Sequence, residues 1–395
     1  MSDWKSFYVE QLGKIITGKT PKTSNVEYYG GDIPFLTPSD DMSVKHVIET
    51  KRSLSDLGKS TVKNLCLPKN SVCVSCIGSD LGKVVITGRE TVSNQQINSI
   101  IVDEKFFDVD FVYYSMVILG KKLKYLSHTS TAVPIINKST FSKFTISCPP
   151  LETQKKIAAV LSALDDKIEL NNAINRNLEE QAQAIYKKIC LRAKLAPLSE
   201  LIEIVESGSR PKGGATTSGI PSIGAEKIDG FGRYDYSNEK FIDTDYFKRL
   251  KRGIVFSGDV MLYKDGAYTG KSSMALDGFP HEICAVNEHV FLLRTKDSRA
   301  QFFLYFTLRN EDVYKKIHVL ACGKAAQPGL NQKELMCVTS FLPEEEVIQK
   351  FESVVSPMMH SIALNALENK KLGDVRDSLL PRLMSGEIDV SAVEI

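Results

Sequence analysis

The sequence predicts an α+β fold in which two homologous mixed α/β domains are joined by two long helices. The helices form an antiparallel coiled coil, and the whole has pseudo-two-fold symmetry. Two observations predict this. Stepping 4, 3, 4, 3 from Ile157 passes through Leu161, Leu164, Ile168, Asn171, Asn175, Leu178, Ala182, Ile185 and Ile189, a heptad-spaced stripe with two polar places. Adding 194 to each number gives Phe351, Val355, Met358, Ile362, Asn365, Asn369, Leu372, Arg376, Leu379 and Leu383, with asparagines in the same slots. An offset of half the chain is an internal duplication, not a solenoid repeat.

The order that follows is a first domain over 1–150, a first helix over 151–192, a second domain over 193–343, a second helix over 344–384 and a tail over 385–395. From Met1 to Pro150 the chain is turn-rich, with β-branched runs at Ser71 to Ile77, Lys83 to Thr87 and Ser99 to Val102. Apolar residues from Phe107 to about Tyr125 fall near helical spacing, so the domain is a β core with a helix. Gly18, Pro21, Lys22, Gly78, Gly82, Lys83, Asn94, Pro134, Asn137 and Pro150 return as Gly208, Pro211, Lys212, Gly266, Gly270, Lys271, Asn287, Pro328, Asn331 and Pro343. Glycine and proline dominate these pairs because they fix backbone geometry, so the shared residues are scaffold and any difference in chemistry lies in what is not shared. Both helices open on Pro followed by acidic residues, Pro150-Leu-Glu152 and Pro343-Glu-Glu-Glu346, as the helix dipole favours. Pro357 is expected to bend the second helix and Pro381 to end it before Leu383.

A heptad stripe needs a partner, and the two stripes match in length and pattern. Asn171 and Asn175 lie symmetrically about the middle of the first, Asn365 and Asn369 about the middle of the second. An antiparallel pairing therefore sets Asn171 against Asn369 and Asn175 against Asn365, and buried asparagine pairs fix register at some cost in stability. At about 1.5 Å per residue each helix spans on the order of 50 Å. Two related domains held apart in opposite orientation suit a two-part DNA site, whose halves lie about 34 Å or more apart.

The 395 residues include 50 basic and 48 acidic ones, a net charge of +2, so composition alone does not mark a nucleic-acid binder and any basic surface is local. No run is long and apolar enough for a membrane helix and no signal peptide is evident, so a cytoplasmic location is expected. The eight cysteines lack a disulfide or zinc spacing; Cys73 and Cys76 form one C-x-x-C inside a strand-like run, and no metal site is expected.

The segment Gly18-Lys-Thr-Pro-Lys-Thr-Ser-Asn-Val-Glu-Tyr-Tyr-Gly-Gly-Asp-Ile-Pro-Phe-Leu-Thr-Pro-Ser-Asp40 resembles the opening of a target-recognition domain. Pro149 to Ile168 resembles the helix that follows it, and Leu379-Leu-Pro-Arg-Leu-Met-Ser-Gly-Glu-Ile388 the usual C-terminus. Together they resemble the specificity subunit of type I restriction-modification enzymes over essentially the whole chain. The resemblance implies a non-catalytic subunit whose domains each read half of a bipartite double-stranded DNA sequence. The helix pair would set the gap and help dock two methyltransferase subunits, which restriction and translocase subunits join. No cofactor is implied on this chain: S-adenosylmethionine, ATP and Mg²⁺ would sit on the partners. The second domain departs at Gly213-Gly-Ala-Thr-Thr-Ser-Gly219.

Two rivals stand beside this reading. Gly13-Lys-Ile-Ile-Thr-Gly-Lys-Thr20 matches the phosphate-loop pattern, with Ser99-Ile-Ile-Val-Asp-Glu104 as a magnesium-holding strand, which would make the chain an ATPase. A phosphate loop must open into a helix, whereas Pro21 and a non-periodic stretch follow here. The other rival is a scaffold that binds only protein. A nuclease reading of Asp40 with Glu49-Thr-Lys51 has no twin in the second half, and Asp165-Asp166 reads as a solvated helix face. Candidate DNA contacts are loop cations and amides, which meet phosphates and base edges. In the first domain they are Lys19, Lys22, Lys59, Lys63, Lys83, Gln95, Gln96 and Lys138. In the second they are Arg210, Lys212, Arg233, Lys248, Arg249, Lys251, Arg252, Lys264, Lys271 and Lys324, with the run 248–252 the densest. Tyr113, Tyr114, Tyr263 and Tyr268 read as packing residues.

Overall fold

The computed structural model describes residues 4–128, 135–323 and 329–393, so Lys324, Pro134 and Pro328 lie outside the described residues. The chain divides into two compact units, Met1–Glu169 with Leu372–Ile395, and Leu170–Lys371. In the first unit the elements are β1 (Lys5–Tyr8), β2 (Gly13–Thr17), β3 (Tyr29–Leu36), β4 (His46–Val47), β5 (Ser53–Leu54), α1 (Asp56–Ser60), β6 (Ser71–Ser75), β7 (Val84–Thr87), β8 (Val92–Ser93), β9 (Ile97–Val102), α2 (Val109–His128), α3 (Lys138–Ser142) and β10 (Thr145–Cys148). The first long helix is α4 (Leu151–Cys190). Then come β11 (Lys194–Pro197), β12 (Ile202–Ser207), β13 (Ile220–Ile223), β14 (Phe241–Ile242), α5 (Thr244–Lys248), β15 (Val260–Tyr263), β16 (Ser272–Met274), β17 (Ala285–Val286), β18 (Val290–Thr295), α6 (Gln301–Leu308), α7 (Glu311–Cys322), α8 (Gln332–Cys337), β19 (Thr339–Leu342) and the second long helix, α9 (Glu345–Met384).

The duplication read in the sequence is a duplication of topology. The first unit has a central sheet ordered β2-β9-β6-β7-β4, a small sheet β5-β3-β8 and the pair β1-β10; the second has β12-β18-β15-β16, β14-β13-β17 and β11-β19. Each small sheet holds one parallel pair, β3 with β8 and β13 with β17. Alternation explains why the central strands read as unbroken apolar runs. Val72, Val74, Val84, Ile86 and Ile100 face Phe111, Tyr114 and the helix ends, while Cys73, Val85 and Ile97 face Leu36, Met42 and Leu67. Both faces are covered, so successive residues are all buried. In the second unit Val260, Leu262 and Leu293 face one core and Met261, Val290 and Leu292 the other.

The phosphate-loop reading does not survive. Gly13–Thr17 is strand β2, antiparallel to β9, and the next helical element is a single 3₁₀ turn at Val26–Tyr28. The amide of Gly18 donates to the Ile97 carbonyl at 3.3 Å and that of Lys19 to Ser93 at 2.9 Å, so amides that would cradle phosphate are spent on strand neighbours. Asp40, the nuclease candidate, is a loop staple that accepts the amides of Thr37 and Lys51, each at 2.7 Å. Cys73 and Cys76 are buried thiols, and burial pushes Cys73 up to about 12.

Both long helices span 40 residues. Pro381 does not end α9: in the last turn its missing N–H costs one hydrogen bond, its own carbonyl accepts from Ser385, and the helix runs on to Met384. In the first unit the start of α4 packs Ile157, Ala158 and Leu161 with Leu380, Leu383 and Met384 from the end of α9. In the second, Ala182, Tyr186 and Cys190 pack with Phe351, Val355, Met359, Ile362 and Ala366. Low numbers on one helix meet high numbers on the other in each unit, so the pairing is antiparallel.

Asp165 corrects the solvated-face reading. It is buried, accepts from the Tyr114 hydroxyl at 2.6 Å and from Arg376 Nη1 at 2.6 Å, while Asp166 remains exposed. Arg376, the polar break in the second stripe, is therefore the buried carboxylate's partner. Burial works against the Arg376 charge, but Asp165 and Asp377 outweigh it and hold the guanidinium above its ordinary range. The second unit has a similar joint from other positions: Glu179 accepts from Tyr305 at 2.7 Å and lies 3.1 Å from Arg309.

Candidate nucleic-acid interface

Antiparallel pairing of β2, β9 and β6 brings three turns to one end of the first central sheet. Thr17 sits opposite Asn98 and Ser75 opposite Ile97, so the loop from Gly18, the turn 93–96 and the turn after Ser75 emerge together. The contact is close: a Cβ on Gly18 would lie 2.1 Å from the Ser93 carbonyl oxygen, so only glycine fits. Thr20 Oγ1 donates to Gln95 Oε1 at 2.7 Å, the Cys76 amide to the Gln96 carbonyl at 2.8 Å, and the Ile136 amide to the Cys76 carbonyl at 2.9 Å. Lys83 enters at the same end, its carbonyl accepting from Ser75. Lys19, Lys83, Gln95, Gln96 and Lys138 thus converge, with Lys22 three residues along the same loop.

The second unit repeats the arrangement. A Cβ on Gly208 would lie 1.6 Å from the Val286 carbonyl oxygen, and the Lys264 amide donates to the His289 carbonyl at 3.1 Å. Arg210, Lys264 and Lys271 stand here, with Lys212 just beyond Pro211. Tyr246 of α5 reaches Ser209 at 2.9 Å, which sets Lys248, Arg249, Lys251 and Arg252 beside the same loop. In the first unit Lys59 and Lys63 occupy the corresponding place on and after α1.

The cations differ in what holds them. Among the described residues no acidic group lies within ion-pair distance of Lys19, Lys22, Lys63, Lys138, Lys212, Arg249, Lys251 or Arg252. Lys59 pairs with Glu90 at 2.6 Å, Lys83 with Asp80 at 2.7 Å, Lys248 with Asp245 at 3.4 Å and Lys271 with Asp229 at 2.5 Å. Arg210 lies 3.8 Å from Glu288 and Lys264 3.2 Å from Asp265. Arg233 stands apart, 3.3 Å from Glu179 on α4. Tyr113 and Tyr114 are packed, but Tyr268 is exposed with the Lys271 ammonium 4.6 Å from its ring centroid, because its glycine-flanked turn lifts it off the sheet. Sequence reading missed Glu288 and His289, which the Asn94–Asn287 correspondence places on the second unit's copy of the Gln95-Gln96 turn, and Asp265, which follows β15 and lies 3.2 Å from His289 Nδ1.

On the helix pair, Asn171 Nδ2 donates to Asn369 Oδ1 at 2.9 Å and Asn365 Nδ2 to Asn175 Oδ1 at 2.8 Å. Asn369 Nδ2 also reaches Asn172 at 2.9 Å. Among the described residues one group has the makings of a cation site, His46, Asp166 and Glu169. Its charge is already met: Glu169 accepts the amides of Lys45 and His46 at 2.9 Å, and the Lys45 ammonium lies 4.0 Å from Asp166. These residues fit an ion-paired joint better than a metal.

Known proteins share this arrangement. The family described as "Type I restriction modification DNA specificity domain" matches residues 1–180. The type I restriction enzyme MjaIX specificity subunit of Methanocaldococcus jannaschii is 25% identical over 98% of this chain and 94% of its own. The HindI specificity subunit of Haemophilus influenzae is 37% identical over 45% of this chain and 39% of its own. The crystal structure of a type I restriction-modification S subunit from M. genitalium covers 96% of both chains with a TM-score of 0.57 at 15% identity, a likeness of fold. With the duplicated domains, the paired long helices and a match that runs the length of a relative, the chain is similar in sequence and fold to the specificity subunits of type I restriction-modification systems.

Proposed function

We propose that this chain directs a cytoplasmic type I restriction-modification complex to a two-part double-stranded DNA sequence, each unit reading one half. The helix pair sets the gap, its asparagines fixing the register, and with adjoining surfaces it docks two methyltransferase subunits. Restriction and translocase subunits complete the complex. S-adenosylmethionine serves methylation on the methyltransferase, while ATP and Mg²⁺ serve the translocase; this chain holds none of them.

The observation that carries the reading is the convergence of basic and amide side chains on loops at one end of each central sheet. Cations there meet phosphates and fix position, while amides and carboxylates at the turn tips are of the type that reads base edges. The overall charge is nearly neutral, so this local concentration is what supplies the field for a polyanion.

Methylome sequencing of cells with and without the gene tests it. Loss of a methylated motif made of two short halves and a fixed gap is the expected result. An unchanged methylome overturns the reading and leaves a scaffold that binds only protein.

A further inference from the structure

The two units carry the same turn, built twice, with different side chains at its tip. In the first, Asn94 Oδ1 accepts the Gln96 amide at 3.0 Å; in the second, Asn287 Oδ1 accepts the His289 amide at 2.9 Å. The Asn94 carbonyl accepts from Ile97 at 3.2 Å and the Asn287 carbonyl from Val290 at 3.3 Å. Each asparagine amide is tied at 3.0 Å to the adjoining small-sheet strand, Asn94 to Leu36 and Asn287 to Ile223. The backbone is thus pinned at three matched points in both units, and the next two positions carry Gln95-Gln96 in one and Glu288-His289 in the other.

The second of these positions is held in place. Gln96 Oε1 accepts from Asn94 Nδ2 at 2.9 Å, and His289 Nδ1 lies 3.2 Å from Asp265. The first is the freer one. The Gln95 side chain has only its oxygen engaged, by Thr20, leaving its amide hydrogens open. The Glu288 carboxylate has Arg210 and His289 at 3.8 and 3.6 Å, both beyond hydrogen-bond distance, and so keeps its acceptors open.

Resting on the DNA-reading function proposed above, we propose that Gln95 and Glu288 are the paired specificity-determining residues of the two units. A side-chain amide offers a donor and an acceptor together and matches adenine in the major groove; a carboxylate only accepts and matches a base presenting an amino group, cytosine or adenine. The scaffold holds the turn constant and one residue at its tip changes what it reads.

The test uses two near-isosteric variants, Gln95→Glu and Glu288→Gln, each in the full complex with its methyltransferase subunits. Both keep an oxygen where the present contacts need one. Methylome sequencing should show Gln95→Glu altering the base accepted at one position in one half, Glu288→Gln altering a position in the other half, and an unchanged gap. Discrimination at the affected position should shift by roughly ten- to a hundred-fold. If the wild-type complex yields no two-part motif, the DNA-reading function itself falls. If wild type yields one and both variants keep both halves unaltered, or each disturbs both halves alike, this inference alone is overturned. Where a variant abolishes methylation, selection from a randomised duplex library by the purified complex decides. Preference altered in a single half supports the proposal; wild-type preference, or no enrichment in either half, overturns it.

Discussion

Glu352→Gln should make the protein more stable at alkaline pH and leave it little changed at pH 5. Glu352 lies on α9 with 9% of its surface exposed, accepting the Phe303 amide at 2.7 Å at the start of α6. Burial outweighs that hydrogen bond and pushes the carboxyl up from 4.5 to about 8. Between those values the folded chain binds a proton that the unfolded chain has released, so stability falls as pH rises, by about 1.4 kcal/mol per unit. Over the full window the loss is about 3–5 kcal/mol. The first unit makes a comparable joint from another position and with a neutral group: Gln154 on α4 accepts the Asp108 amide at 3.0 Å just before α2. Glutamine at 352 retains an oxygen for Phe303 and removes the titration. Urea unfolding followed by far-UV circular dichroism at pH 5, 7 and 9 measures the difference between wild type and variant, which cancels every other titrating group. A difference that does not grow with pH would refute the reasoning and mean that Glu352 is ionised in the folded protein.

Arg376→Leu strands Asp165 as a buried charge and should cost about 2–4 kcal/mol in urea unfolding; adding Asp165→Asn should recover part of it. If the second change adds to the loss, the pair is not the reason Arg376 interrupts the stripe. Gly373→Ala, in a helix interior where a Cβ meets nothing within 4 Å, should raise thermal stability by about 0.5–1 kcal/mol. Gly208→Ala, with its Cβ 1.6 Å from a carbonyl oxygen, should cost more than about 2 kcal/mol. Lys19→Ala should lower the slope of log affinity for DNA against log salt by about 0.9. Lys59→Ala, whose ammonium Glu90 already holds, should lower it less.

The helix pair was the most legible part of the fold because a heptad stripe over many turns has only one structural meaning, and two copies in one chain name their own partners. The strands were legible only in the middle. β6 and β7 stand out as β-branched runs, whereas β3 is Tyr29-Gly-Gly-Asp-Ile-Pro-Phe-Leu36, whose glycines and proline carry no strand signal; its pairing depends on partners at Ser53 and Val92 far along the chain. Pro381 misled because a helix-breaking residue in a last turn removes one hydrogen bond of many. Asp165 misled because its charge suggested solvent, while its partners, Tyr114 and Arg376, come from elements that local sequence does not bring near.

The candidate interface divides the same way. Shared glycines and asparagines could be read as scaffold from the sequence, and they are what bring the loops of each unit to one end of its central sheet. Residue type alone then selected lysines, arginines and glutamines, and so passed over Glu288, because an acidic side chain looks wrong on a surface meant for DNA. That objection applies to phosphate contacts and not to base edges, where amino groups need an acceptor. Arg210 stands near Glu288 on this turn and Lys264 pairs with Asp265 beside it, so cations offset the acidic groups there. The position after the turn asparagine is where the two copies differ while the matched backbone hydrogen bonds of the turn are kept. On the proposal made above, an amide in one copy and a carboxylate in the other would let one fold, used twice in a chain, read two unlike half-sites.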